Sequence, residues 1–194
     1  IIFAAGLSWK IILAILAVAV PGAAIFLSLV LSPEQTLIAD YQRERILSWL
    51  RPGEYSETAY QQQNSIIAIG SGQFYGKGLN NNMVSSVKNG NFIAEPQSDF
   101  IFAVAGEELG FVGCVAIVLL ELLIGVLCIR IGMRARQKAG ALIGMGMGSL
   151  VITQSALNMA VTTGLMPNTG ITLPFVSYGV TSLVTFCMGV GICL

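Results

Sequence analysis

The chain has 194 residues, of which 55% are hydrophobic and only 10% charged, against roughly 25% charged in soluble proteins. Ten Lys plus Arg balance ten Asp plus Glu, and there is no His. The balance gives no sign of a nucleic-acid partner, and the missing imidazole excludes a Ser-His-Asp triad, a His-ligated zinc and a His base within these residues.

Charge distribution sets the class. From Ala139 to Leu194 there are 56 residues without one Asp, Glu, Lys or Arg, where a single crossing needs roughly 20 apolar residues. The pattern predicts an all-α integral membrane protein with four transmembrane helices over 11–31, 100–129, 139–165 and 171–194. Residues 1–8 read as the end of an earlier span or a connection. The chain starts with Ile1 and shows no signal peptide, so it reads as a fragment of a longer protein. Lys10 precedes the first uncharged run, Ile11 to Leu31, whose Pro21 and Gly22 a membrane helix tolerates when neighbours re-satisfy the backbone.

Residues 32–98 form a long, mostly polar connection. Within it, Asp40 to Leu50 (DYQRERILSWL) mixes charges with Ile46, Leu47, Trp49 and Leu50, which predicts a short interfacial helix ended by Arg51-Pro52-Gly53. Asn64 to Ile69 is too short to span and reads as a re-entrant or half-buried segment. The glycines from Gly70 to Gly78 match neither GxGxxG nor GxxxxGK[ST], so they form no recognisable nucleotide loop. Asn80 to Asn82 and Asn89-Gly90-Asn91 mark turns.

Phe100 to Ile129 follows and carries Glu107, Glu108 and Glu121. A helix starting near Asp99 would place Glu107 about 12 Å along its axis, a depth that needs protein or water around the carboxylate. Residues 130–138 (RIGMRARQK) hold four basic residues and no acid, which makes this loop cytoplasmic. The 32–98 connection and the Met166 to Gly170 turn are then extracellular. Met145, Met147 and their glycines read as close helix packing, and Cys114, Cys128, Cys187 and Cys193 as small packing residues without metal spacing.

Arg43, Arg45, Arg51, Lys77 and Lys88 share the outer loop with Glu95 and Asp99. Cations at a membrane surface beside a carboxylate can bind a lipid phosphate and activate a hydroxyl. Each has a plainer alternative. Ser98 or Asp99 could N-cap the next helix. Glu107 and Glu108 could be structural or line a polar pathway. Arg43 and Arg45 could be a solvated face or anchors for bulk lipid.

Three segments resemble the SEDS family of bacterial envelope polymerases, the RodA, FtsW and SpoVE group. The first is Tyr60-Gln61, Ser65, Ala68-Ile69-Gly70-Ser71-Gly72 and Gly76-Lys77-Gly78. The second is Glu95, Asp99-Phe100-Ile101-Phe102-Ala103-Val104 and Glu107-Glu108-Leu109-Gly110. The third is Asn158, Gly164, Pro167, Gly170, Leu173-Pro174-Phe175 and Ser177-Tyr178-Gly179. Order and spacing agree over almost the whole chain. The resemblance implies the C-terminal half of a ten-span fold in the bacterial plasma membrane.

It also implies an activity: polymerisation of lipid II into β-1,4 glycan strands, with a class B penicillin-binding protein as transpeptidase partner. Asp99 matches the family's essential aspartate, the implied general base of an inverting transfer. Arg43, Arg45, Lys77, Glu95, Ser177 and Tyr178 are the implied substrate-binding residues. A divalent cation such as Mg2+ could share the load on the leaving diphosphate, although the sequence shows no clear coordination cluster. A lipid II transporter and a non-catalytic scaffold of the cell-wall machinery are the alternatives. The chain departs from the family at Asn64, Gln73, Ala94, Gln97, Ser98 and Val180. Val180 replaces a usual Gly, which Val could match at positive φ only at a cost.

Overall fold

A computed structural model describes residues 9–31, 39–54, 56–79 and 96–193. Glu95, Lys88 and Ala94 lie outside the described residues. The described residues form six helices: α1 (Trp9–Leu31), α2 (Asp40–Leu50), α3 (Ser56–Ser71), α4 (Ile101–Arg134), α5 (Lys138–Thr162) and α6 (Val180–Cys193). No strand occurs among the described residues.

α4 and α5 are each long and apolar enough to cross a membrane, yet only 22% of the most apolar stretch of each is buried within the chain. Phe111, Leu119, Leu120 and Leu123 of α4 are more than half exposed. So large an apolar surface is suited to lipid or to further protein rather than to water. The two helices pack antiparallel through a seam of small residues: a Cβ on Gly144 would stand 2.7 Å from the Gly132 Cα, and one on Gly148 would strike the Gly125 carbonyl. Close backbone approach of this kind is how membrane helices gain contact.

Four expectations need correction and one is refined. The segment from Asn64 to Ile69 is half-buried, one of its two expected readings, and belongs to a full 16-residue helix, α3. Its buried stripe, Ala59, Gln62, Ser65 and Ala68, falls at helical spacing, but half of it is polar, so hydropathy hides the periodicity. α4 is not a single straight span from Phe100. Gly110 interrupts it at φ 67, ψ −164, conformational space that is essentially Gly-only. Residues 111–134 alone measure about 36 Å, so 101–109 form a separate short helix joined at an elbow.

The last expected span, 171–194, is helical only over Val180–Cys193. Pro174 cannot donate a backbone hydrogen bond, and the preceding backbone is satisfied irregularly: Ser177 N–H donates to the Leu173 carbonyl at 3.0 Å. Val180 begins α6, is 71% exposed and is not among the residues at positive φ, so the feared strain does not arise there. A non-glycine residue at positive φ occurs instead at Gln73, with φ 52. The third span, expected over 139–165, stops at Thr162 in a Schellman ending. Gly164 (φ 80) donates to the Val161 carbonyl and Leu165 to that of Ala160, which closes the orphan carbonyls.

Candidate active site

α3 links the C-terminal end of α5 to the elbow of α4. Gln62 Nε2 donates to the carbonyls of Val161 and Met166, each at 2.7 Å. Ser65 Oγ donates to the Thr162 carbonyl at 2.8 Å, and from α2 the Trp49 indole N–H donates to the Gly164 carbonyl at 2.8 Å. These polar groups bind the C-terminal end of α5 and the turn after it, where free helix carbonyls need partners. At its other end α3 runs into a turn over 72–79 that grips the elbow of α4. Lys77 N–H donates to the Glu107 carbonyl at 2.9 Å, Gly78 N–H to that of Glu108 at 3.0 Å, and Phe111 N–H to that of Gln73 at 2.9 Å.

Asp99 lies just before the short 101–109 helix and is half-buried. Ser98 Oγ donates to its Oδ1 at 3.1 Å. A Cβ built on Gly170 would stand 3.4 Å from its Oδ2. Gly170 also borders a cleft of about 380 Å³ lined by Thr153, Gln154, Leu157, Ile171 and Thr172. The missing side chain at Gly170 thus keeps the Oδ2 side open. The N-cap of α4 is Phe100 and makes no side-chain cap hydrogen bond, so the capping role expected of Ser98 or Asp99 is not realised. A carboxylate that is half exposed and does not cap a helix is available to accept a proton from an alcohol.

The backbone on either side is held from outside. Asn158, wholly buried, donates from Nδ2 to the Asp99 carbonyl at 2.8 Å and to the Ile171 carbonyl at 2.6 Å. Ser177 Oγ donates to the Ser98 carbonyl at 2.7 Å and accepts from Leu173 N–H at 2.7 Å. Tyr178 N–H donates to the Gln97 carbonyl at 2.9 Å.

The structure therefore unites Asp99 with Ser177 and Tyr178 but changes the role of Ser177. Its hydroxyl is 7% exposed and engaged by two backbone groups, which suits a fixing residue rather than a ligand. Tyr178 is 76% exposed and stands beside the segment. Lys77 is committed elsewhere: its Nζ lies 2.9 Å from Glu107 Oε1. That pair gives the buried Glu107 a structural partner, and Glu108 is buried next to it. On α2, Arg45 is exposed and Arg43 half-buried. No three Asp, Glu or Cys side chains converge on a metal-sized space among the described residues.

Asn158 and Gln62 were missed as site-forming residues in the sequence. For Asn158 the available signal was an amide within an uncharged run, where burial costs several kcal/mol, roughly 2–7, unless hydrogen bonds are made; Gln62, one of four consecutive amides in α3, carried no such signal.

Three comparisons place these features. The family model described as "Cell cycle protein", covering FtsW, RodA and SpoVE, matches residues 1–194. The chain is 39% identical over 158 residues to "Probable peptidoglycan glycosyltransferase FtsW" of Thioalkalivibrio sp. (strain K90mix), covering 79% of this chain and 38% of that protein. It is 41% identical over 170 residues to "Stage V sporulation protein E" of Bacillus subtilis (strain 168), covering 87% of this chain and 44% of that protein. Among solved structures it is similar to a chain from "Structural coordination of polymerization and crosslinking by a peptidoglycan synthase complex", with TM-score 0.68 and 27% identity over 99% of this chain and 50% of that one. The chain thus spans less than half the length of these two curated relatives.

Proposed function

The chain belongs to the FtsW/RodA/SpoVE family, and from that premise we propose that it is the catalytic half of a lipid II-dependent peptidoglycan glycosyltransferase. Asp99 is the general base. It takes the proton from the 4-hydroxyl of the acceptor sugar as that oxygen attacks the anomeric carbon of the donor. The bond from that carbon to the diphosphate breaks, undecaprenyl diphosphate leaves, and inversion gives the β-1,4 linkage. One observation carries the reading: Asp99 is a half-exposed carboxylate, free of capping duty, on a backbone pinned by Asn158 and Ser177.

Charge builds on the leaving diphosphate, and cations stabilise it best when already placed there. Arg43 and Arg45 are the proposed contacts. Lys77, expected in the same role, serves instead to neutralise Glu107. The exposed Tyr178 ring is proposed as a wall for the sugar, with Glu95 as a further substrate contact. No three Asp, Glu or Cys side chains gather round a metal-sized space among the described residues, and no step is routed through a divalent cation such as Mg2+.

The proposed setting is a multi-pass protein of the bacterial plasma membrane with four spans in this half, residues 32–98 outside and 130–138 in the cytoplasm. The proposed partner is a class B penicillin-binding transpeptidase, and the process is wall synthesis in elongation, division or sporulation. Buried Glu107 is ion-paired, which favours a structural role over the polar pathway a transporter would need.

The test is lipid II polymerisation by the full-length protein purified with its transpeptidase, wild type against Asp99→Asn and Asp99→Ala. Glycan ladders from wild type alone are expected. Ladders from all three would overturn the general-base role, and Glu95 would be the next carboxylate to replace. No ladder from any, with the partner bound, would move the weight to transport or scaffolding.

A further inference from the structure

We propose that Asn158 and Ser177 are positioning residues for the transfer reaction, acting through Asp99; this rests on the reading of Asp99 as the base. Three consecutive carbonyls, those of Gln97, Ser98 and Asp99, each receive a donor from outside their own segment. The donors are Tyr178 N–H at 2.9 Å, Ser177 Oγ at 2.7 Å and Asn158 Nδ2 at 2.8 Å. Helical or strand pairing of the segment itself supplies none of them. The clamp is closed on its far side as well: the second Asn158 bond goes to the Ile171 carbonyl at 2.6 Å, and Ser177 Oγ accepts from Leu173 N–H.

With the peptide on both sides of its Cα fixed, the Asp99 side chain retains only its own two torsions. Ser98 Oγ on Oδ1 and the bare Cα of Gly170 beside Oδ2 restrict those further. A base must sit within hydrogen-bond reach of the proton it removes. A misplacement of about 1 Å is enough to lose roughly 100-fold in rate. Neither Asn158 (0% exposed) nor Ser177 (7% exposed) can touch a bound sugar, so both influence the reaction only through where they hold Asp99.

The experiment uses the full-length protein with its partner, in lipid II polymerisation resolved into kcat and KM. Asn158→Leu and Ser177→Ala are compared with Ser65→Ala, which loses an equally buried side-chain-to-carbonyl bond on α3. We expect each clamp variant to lower kcat by about 10- to 100-fold with KM within about twofold of wild type. Ser65→Ala should lower the unfolding temperature comparably while keeping kcat. A Ser177→Ala kcat within twofold of wild type, alongside an inactive Asp99→Asn, would overturn the clamp and leave the base in place. Full activity of Asp99→Asn would overturn the base and the clamp with it. Where Asn158→Leu does not fold, Ser177→Ala decides alone, because it removes only one oxygen.

Discussion

Gly110→Ala tests the elbow that brings the Asp99 segment onto the bundle. Gly110 has φ 67 and ψ −164, where a side chain costs about 1–3 kcal/mol in backbone strain alone. Its new Cβ would overlap the Gly76 nitrogen and stand 2.8 Å from the Phe74 carbonyl carbon and oxygen. These are backbone atoms, so the 72–79 turn must retreat. Retreat stretches four backbone hydrogen bonds: Lys77 to Glu107, Gly78 to Glu108, Phe111 to Gln73 and Val112 to Phe74. Losing two of the four costs roughly 1–3 kcal/mol more. The total is about 2–6 kcal/mol, or a fall in Tm of roughly 4–24 °C at 2–4 °C per kcal/mol. The matched control is Gly70→Ala, where a Cβ meets nothing within 4 Å and helix propensity favours Ala by roughly 0.5–1 kcal/mol. Heating the detergent-solubilised proteins while labelling the buried Cys114 and Cys128 reads unfolding directly. A Gly110→Ala protein within 2 °C of wild type would refute the elbow as a structural requirement.

Further outcomes follow from the same geometry. Gln73→Gly should stabilise the protein by about 0.5–1 kcal/mol, since it relieves a non-glycine residue at φ 52 at the price of extra unfolded-chain freedom; thermal unfolding checks it. Asp99→Ala should cost less than the roughly 1 kcal/mol of a lost helix cap, because no side chain caps α4; an unfolding temperature lowered by more than about 4 °C would restore the capping role. Gly170→Val should nearly abolish polymerisation, because its side chain enters the space against Asp99 Oδ2, and its positive φ of 68 should add about 1–3 kcal/mol of backbone strain readable in thermal unfolding; glycan ladders at wild-type rate would show that substrate reaches Asp99 from another side. Gln62→Leu strips donors from the Val161 and Met166 carbonyls and should cost about 1–3 kcal/mol, readable as early hydrogen exchange at the C-terminal end of α5.

The outer-loop residues divide clearly between what hydropathy reveals and what contact decides. The α2 helix over 40–50 is local: Asp40 lies in its first turn, and Pro52 disfavours helix at Arg51. α3 was only half visible, since its inward face carries Gln62 and Ser65, and polar groups bound to carbonyls of a distant helix carry no apolar signal. Ser177 looked like a ligand because a hydroxyl in a conspicuous SYG string suggests one, whereas its two backbone partners come from 79 residues away and from Leu173.

What the sequence determined by itself is the solvent in which this chain folds and the position of the carboxylate proposed as its base. Fifty-six residues without a charge cannot be buried in so small a soluble core, and the string around Asp99 stands out residue by residue. Only the tertiary structure decided how that carboxylate is held and that Lys77 is committed to Glu107. The break at Gly110, the commitment of Lys77 to Glu107 and the clamp from Asn158 and Ser177 all join residues 30 or more apart in sequence. Their partners are set by which backbone carbonyls and carboxylates remain unsatisfied once the helices pack, and no single segment contains that information.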